Sequence, residues 1–284
     1  MGRKQDSAHE NSNPNPDAAA LKHLSVIRPL LLALVMAAGC SHDPARSSAV
    51  KASPIEAPQG DASLAPGPCP EPLESLESGS CLAMPEDATA ETPVIVYLHG
   101  MTSSPEMARI SAGILGQASV ANGIAMLAPL GAKGNCRWKP EVVEYWCWPG
   151  DVDQGEGVDR FLDVLDTDLR LVQRRLGQAH PIRPVLVGYS NGGFMAMRLV
   201  SRSAAPYSSL VIVHAGEPRA YSYPASPLPT LLRTATGDAW HFPTMEKLRD
   251  ALAARDWPIT WSVREGEHRF TESDAEAIVD FLSR

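Results

Sequence analysis

The sequence predicts an α/β sandwich in which helices cover both faces of a mostly parallel sheet. Three observations carry that expectation. Apolar runs of three to five residues, bounded by Gly or Pro, recur along the chain at 94–98, 124–127, 185–187, 210–213, 230–234 and 259–263, as buried strands do. Between them, apolar residues return at three- and four-residue spacing. Strand and helix then alternate to the C-terminus, and in such sheets ligands bind beyond the carboxyl ends of the strands.

The N-terminal stretch stands apart from this pattern. Residues 1–40 are expected to be a signal peptide. The run 29–39, Pro-Leu-Leu-Leu-Ala-Leu-Val-Met-Ala-Ala-Gly, follows Lys22, His23 and Arg28; it has the length of a signal core and falls short of the roughly 20 residues that span a bilayer. It ends at Cys40, and Ala38-Gly39-Cys40 resembles the bacterial lipobox, whose cysteine is lipidated and becomes the mature N-terminus. Ser41 after that cysteine resembles lipoproteins of the outer membrane. An ordinary signal peptide cut nearby is the alternative. Residues 41–68, rich in Ser, Ala and Pro, bury too little to offset their ordering entropy and are expected to be a disordered tether. The catalytic domain is then 69–284, with an edge strand expected over 80–84.

Composition narrows the function. With 44% apolar and 20% charged residues, the 284-residue chain can bury one full core. A formal charge of -8 and the lack of a basic stripe argue against a nucleic-acid partner. Neither a Cys-x-x-Cys nor a His-Glu-x-x-His gathers metal ligands, and no glycine-rich loop has nucleotide-binding spacing, so no metal and no cofactor are expected. Of five cysteines, Cys40 is the odd one. The other four suit an oxidising compartment, with Cys69–Cys81 and Cys136–Cys147 the sequence-local choice among three connectivities.

Helical spacing is read first in Val158, Phe161, Leu162, Leu165, Leu169, Val172 and Leu176, and later in Met195, Leu199 and Val200. Met245 and Leu248, then Ala275, Ile278, Val279 and Leu282, repeat it. The run 185–187 opens into Gly188-Tyr189-Ser190-Asn191-Gly192 and continues as helix. A serine at such a strand-to-helix turn needs small neighbours, and the turn holds Oγ above the sheet with the next N–H beside it. A serine hydroxyl reacts only when a base takes its proton, and the base needs a carboxylate. Asp238 follows the run 230–234 and His268 follows 259–263, where acid and base are required. Glu217 is the rival acid and His241 the weaker alternative base, while His214 at a strand end is expected to be structural. In the loop after 94–98, Gly100 allows an N–H of Met101 or Thr102 to join that of Asn191 as oxyanion donors. Trp138, Trp146 and Trp148, with Tyr145, lie among the cysteines at 136 and 147; together with Trp240 they are candidates for a substrate-binding wall or for core packing.

The span from 93 to 284 resembles an α/β-hydrolase. Gly188-Tyr189-Ser190-Asn191-Gly192-Gly193-Phe194-Met195-Ala196, with Cys147-Trp148 and Asp159-Arg160-Phe161-Leu162 upstream, is similar to the polyhydroxybutyrate depolymerase and feruloyl or acetylxylan esterase group. Ala235 replaces the glycine common there before the acid, and no polymer-binding module is appended. The resemblance implies a serine hydrolase of small or polymeric carboxylic esters, with Ser190, Asp238 and His268 as its triad. A serine peptidase of the same fold, or a surface binding protein with a dead site, are the alternatives.

Overall fold

The computed structural model describes residues 67–149, 155–203, 206–216, 223 and 226–284. The expected signal peptide with Cys40, nearly all of the expected tether, and Glu217 lie outside the described residues. Eight strands form one sheet: β1 (Glu74–Ser75), β2 (Cys81–Ala83), β3 (Val94–Leu98), β4 (Ala125–Ala128), β5 (Val185–Tyr189), β6 (Ser209–Val213), β7 (Thr230–Ala235) and β8 (Ile259–Arg264). Their order is β1-β2-β4-β3-β5-β6-β7-β8. β1 and β2 are antiparallel to their neighbours, and every pair from β4 through β8 is parallel.

Alternation along each central strand divides the core in two. Val94, Val96 and Leu98 of β3 pack on one face with Leu165, Val172, Met195, Leu199 and Leu248. Those residues belong to α2 (Gly155–Leu176), α3 (Asn191–Arg202) and α4 (Phe242–Ala253). Ile95 and Tyr97 point the other way, toward Ala112 and Leu115 of α1 (Pro105–Ala121) and Ala275, Ile278 and Val279 of α5 (Glu272–Leu282). The result is the three-layer sandwich that the alternating pattern predicts.

Two elements differ from that expectation. α1 is not visible as a periodic apolar stripe because its buried side includes Ser111, Gly113, Gly116 and Ser119. Small residues let the helix lie close: a Cβ on Gly116 would come within 2.7 Å of a Leu73 methyl and 3.2 Å of the Met126 terminal carbon. Its start is nonetheless well marked, with Pro105 opening the helix and the Ser104 hydroxyl accepting the Met107 N–H at 3.3 Å. β8, expected as a buried strand, is the sheet's edge and stays partly exposed along its length. The expected edge strand near 80–84 is instead flanked on both sides, by β1 and β4.

Both sequence-local disulfides are formed, Cys69–Cys81 and Cys136–Cys147. The first ties the chain entering the domain to β2. The second closes the segment between β4 and α2, which also pairs Ala132 with Cys147 and Thr102 with Trp146. Buried Asp168 of α2 fastens the β1–β2 hairpin, accepting the Ser78 hydroxyl at 2.8 Å and the Ser80 hydroxyl at 2.6 Å on one oxygen.

His99 locks the turn after β3. The Gly131 N–H donates to its Nε2 at 2.9 Å, so Nδ1 carries the proton and donates to the Gly100 carbonyl at 2.6 Å. Burial pushes its pKa from 6.5 down to about 4, against the opposing pull of that carbonyl. The imidazole is therefore neutral through the neutral and mildly acidic range.

Asp168→Ala is expected to cost about 2 kcal/mol, since two serine hydroxyls at the α2 face lose their acceptor; a lower urea midpoint at unchanged slope checks it. The neutral His99 makes stability fall with acid. Below pH 6.5 the unfolded chain takes up a proton that the folded one refuses, and between pH 6.5 and 5 this site alone should remove about 2 kcal/mol. In His99→Gln, urea unfolding at those two pH values should show a difference smaller by that share.

Candidate active site

The site is assembled from the carboxyl ends of the parallel strands, beginning with the turn after β5. Ser190 adopts φ 51° and ψ −118°, one of three non-glycine residues with positive φ among the described residues. Such a conformation is costly for an L side chain and persists only where surroundings impose it. Here they do. The Ser190 N–H donates to the Val213 carbonyl at 2.8 Å, and its own carbonyl accepts from Gly193 at 2.8 Å as α3 begins. A Cβ on Gly188 would strike the Gly192 carbonyl, and one on Gly192 would strike the carbonyl of Leu98. Glycine at both positions lets the helix return across β3 and β5 at backbone contact distance.

The three side chains expected from sequence meet above this turn. His268 Nε2 lies 3.0 Å from Ser190 Oγ, and His268 Nδ1 lies 2.7 Å from Asp238 Oδ2. His268 is carried on the loop between β8 and α5, and Asp238 on the loop between β7 and α4. The imidazole also stacks on Tyr189, with ring centroids 5.4 Å apart and planes inclined by 25°.

Asp238 is only 3% exposed, yet well supplied with donors. Its Oδ1 accepts the His241 backbone N–H at 3.1 Å, and the ring Nδ1 of His241 is also 3.1 Å from it. Burial alone would raise the carboxyl pKa. The hydrogen bond from His268, the His241 amide and the nearby imidazole charges outweigh it and hold the pKa at about 2, so the group is a carboxylate throughout the neutral range. His241, the alternative base, stacks on His268 at 4.3 Å and reaches Asp238; no contact joins it to Ser190.

A third ring meets the same carboxylate. His214, at the end of β6, places Nδ1 2.9 Å from Asp238 Oδ2, and its Nε2 is 3.2 Å from Nη2 of Arg264. Sequence reading assigned His214 to structure alone. Its position after a strand at the same edge as Ser190 and Asp238 was the available signal.

Asn191 opens α3, and its side-chain oxygen accepts the Trp148 backbone N–H at 2.8 Å. The amides of Asn191 and Met101 have no acceptor among the described residues. That of Thr102 is committed elsewhere, donating to the Trp146 carbonyl at 3.2 Å, and the Trp146 N–H returns to the Thr102 carbonyl at 2.7 Å.

The tryptophans divide. Trp148 belongs to the core rather than to a pocket wall: it is 1% exposed, its ring lies against His99 and Phe161, and its Nε1–H donates to the His99 carbonyl at 2.7 Å. Trp146 is half-buried, while Trp138 and Trp240 are exposed, the latter by 86%. Of the four candidates, these three are open to solvent.

Among the described residues, one group brings at least three possible metal-ligand side chains together, namely His214, Asp238 and His268. It does not fit a cation. The ionised Asp238 carboxylate only accepts, so the Nδ1 of His214 and that of His268, at 2.9 and 2.7 Å from Oδ2, carry their ring protons. An N–H directed at the carboxylate presents no lone pair to a metal.

No family model matches the chain, and no curated protein does. Solved structures do. TT1662 from Thermus thermophilus is 21% identical, with 74% of this chain and 96% of that one covered and a TM-score of 0.54. A carboxylesterase from Mesorhizobium loti is 15% identical over 74% of this chain and 98% of its own, with a TM-score of 0.54. Acyl-protein thioesterase 2 of Zea mays is 16% identical over 72% and 97%, with a TM-score of 0.53. With its strand order, its parallel core and these neighbours, the chain has the α/β-hydrolase fold.

Proposed function

We propose that the protein is a serine hydrolase of carboxylic esters. The observation that carries the reading is the chain of contacts from Ser190 Oγ through His268 to the ionised Asp238, at 3.0 and 2.7 Å. Esterase and thioesterase names among the structural neighbours support the ester class.

In this reading the Asp238 carboxylate accepts the Nδ1–H of His268 and so leaves Nε2 free to take the Ser190 proton. Oγ then bonds to the acyl carbon, whose carbonyl π pair moves onto oxygen. The N–H groups of Asn191 and Met101 face that oxyanion, at the positive end of α3. As the tetrahedral adduct collapses, the imidazolium gives its proton to the departing alkoxide, and the acyl group remains on Ser190. Water, deprotonated by the same imidazole, then repeats the addition and releases the acid. Trp138, Trp146 and Trp240 supply rigid apolar surface beside the acyl or alcohol portion. The resemblance in the Ser190 motif favours aromatic-acyl, acetyl-sugar or polyester substrates.

The same reading places the protein outside the cytoplasm, anchored through a lipid on Cys40. The pairing of the other four cysteines supports an oxidising compartment.

Ser190→Ala should retain its far-ultraviolet dichroism and lose about five to six orders of magnitude in kcat on nitrophenyl esters. A fluorophosphonate probe should label the wild type and not the variant. Faster turnover of a nitroanilide peptide than of the esters would favour the peptidase, and wild-type turnover by the variant would end the triad assignment. Acetyl, longer acyl, feruloyl and polyester substrates given to the wild type sort the ester class. Expressed in a bacterium fed labelled palmitate, the full chain should take up label and Cys40→Ala should not.

A further inference from the structure

We infer that His214 is a positioning residue for the Ser190 reaction: a second imidazole that holds the Asp238 carboxylate toward His268 and is itself backed by an Arg264–Asp274 clamp. The inference rests on the hydrolase reading above.

The hydrogen-bond directions follow from donor chemistry. The ionised Asp238 carboxylate only accepts, so the single ring proton of His214 sits on Nδ1; the bare Nε2 then lies 3.2 Å from Nη2 of Arg264, which also donates to the Arg269 carbonyl at 2.5 Å. The Nδ1–H donates to Asp238 Oδ2 at 2.9 Å, the same oxygen that accepts from His268 at 2.7 Å. Arg264 is fixed in turn. Its Nε and Nη2 hold the two oxygens of Asp274 at 2.9 and 3.1 Å. Asp274, fully buried, also accepts Arg233 Nε at 3.0 Å and the Thr271 N–H and hydroxyl at 2.9 Å. An unbroken series thus runs from the start of α5 to the serine: Asp274, Arg264, His214, Asp238, His268, Ser190.

Two features argue against simple filling of the core. His214 has φ 52°, a backbone conformation that few non-glycine residues adopt. It is also completely buried, where an apolar side chain would pack without needing two polar partners. Burial pushes its pKa down to about 4, despite the neighbouring carboxylates. The ring therefore remains a neutral donor across the range in which His268 must exchange protons.

The consequence is twofold. With Oδ1 held by His241 and Oδ2 shared by two Nδ1–H groups, the carboxylate cannot rotate away from His268. The additional donor also spreads the charge on Oδ2, so Asp238 pulls less strongly on the His268 proton. The groups facing this pair are Tyr189 from β5, Asp238 and His241 from the loop after β7, Arg264 from β8 and Asp274 from α5. Removing the His214 donor should lower kcat and move the acidic limb of activity to higher pH, because a more strongly held imidazolium gives up its proton later.

Two substitutions separate the ends of the ring. His214→Asn keeps a donor where Nδ1 was and tolerates positive φ; His214→Gln keeps an acceptor for Arg264 and leaves Asp238 without its donor. We expect His214→Gln to lose roughly tenfold or more in kcat with KM within twofold, and its acidic limb to rise by about half a pH unit or more. His214→Asn should remain within about threefold of wild type with an unmoved limb. A folded His214→Gln that matches the wild type in both kcat and limb would overturn the inference and leave the hydrolase reading intact. No ester turnover and no fluorophosphonate labelling in the wild type would overturn both. Should His214→Gln not fold, nitrogen-15 spectra of the histidine-labelled wild type decide: protonated Nδ1 and bare Nε2 at His214, with the Nδ1–H shift changing on phosphonylation of Ser190, support it. A proton on Nε2, or no response to phosphonylation, overturns it.

Discussion

The close passage of α3 over β3 and β5 is the constraint on which the rest of the site depends. Backbone meets backbone there, because a side chain as small as a methyl on Gly192 would collide with the carbonyl of Leu98. That approach forces the chain at Ser190 through a sharp turn and into positive φ. It also sets the start of α3 directly beside the end of β3, and the Gly100 position in the turn after β3 lies against Ser190. Strain at residue 190 is offset by the hydrogen bond to Val213 and by the two that Gly193 and Phe194 return to its carbonyl. A turn held this way has little freedom to relax, and the hydroxyl is pre-positioned rather than recruited.

Parallel strands make the remainder inevitable in outline. Because β3 to β8 run the same way, the loops that follow them emerge at one edge, and four of them carry the side chains that meet: Ser190 after β5, His214 after β6, Asp238 after β7 and His268 after β8. Residues 190 and 268 become neighbours without any local sequence relation. What the sheet does not settle is the charge balance at Asp238. A carboxylate buried to 3% exposure is tolerable only because backbone and imidazole donors surround both oxygens. The buried clamp of Asp274 between Arg233 and Arg264 follows the same rule one layer farther from the serine.

Much of this was legible in the residues, for reasons that differ by element. β3, β5, β6 and β7 read clearly because strands covered on both faces must be apolar without interruption, and their bounds fall within one or two residues of the expected ones. α2 was equally clear, since its outer face meets water and its apolar residues keep a 3.6-residue rhythm. α1 was not. Both its approach to β4 and its packing on the residues before β2 depend on Gly and Ser in buried positions, which carry no hydrophobic signal. The site divided along similar lines. Ser190, Asp238 and His268 were identifiable from their place after strands, but the partner set of Asp238 was not. Three of its donors come from His214, His268 and the ring or amide of His241, and only the fold reveals that these rings point at one carboxyl group.

The tryptophans show most directly why position along the chain does not determine role. Trp146 and Trp148 are two residues apart in a segment closed by Cys136–Cys147, and both looked equally suited to a pocket wall. Strict strand alternation would turn residues 146 and 148 to the same face, and the two separate because the paired run ends at Cys147. Beyond it the side-chain oxygen of Asn191 takes the N–H of Trp148 at 2.8 Å and registers the chain against the first turn of α3. Trp148 is thereby driven between His99 and Phe161, where its indole N–H satisfies the carbonyl of His99. It supports the very turn that carries Met101. Asn191 thus opens α3 immediately after the serine, while its side chain anchors the segment whose buried indole backs the turn after β3.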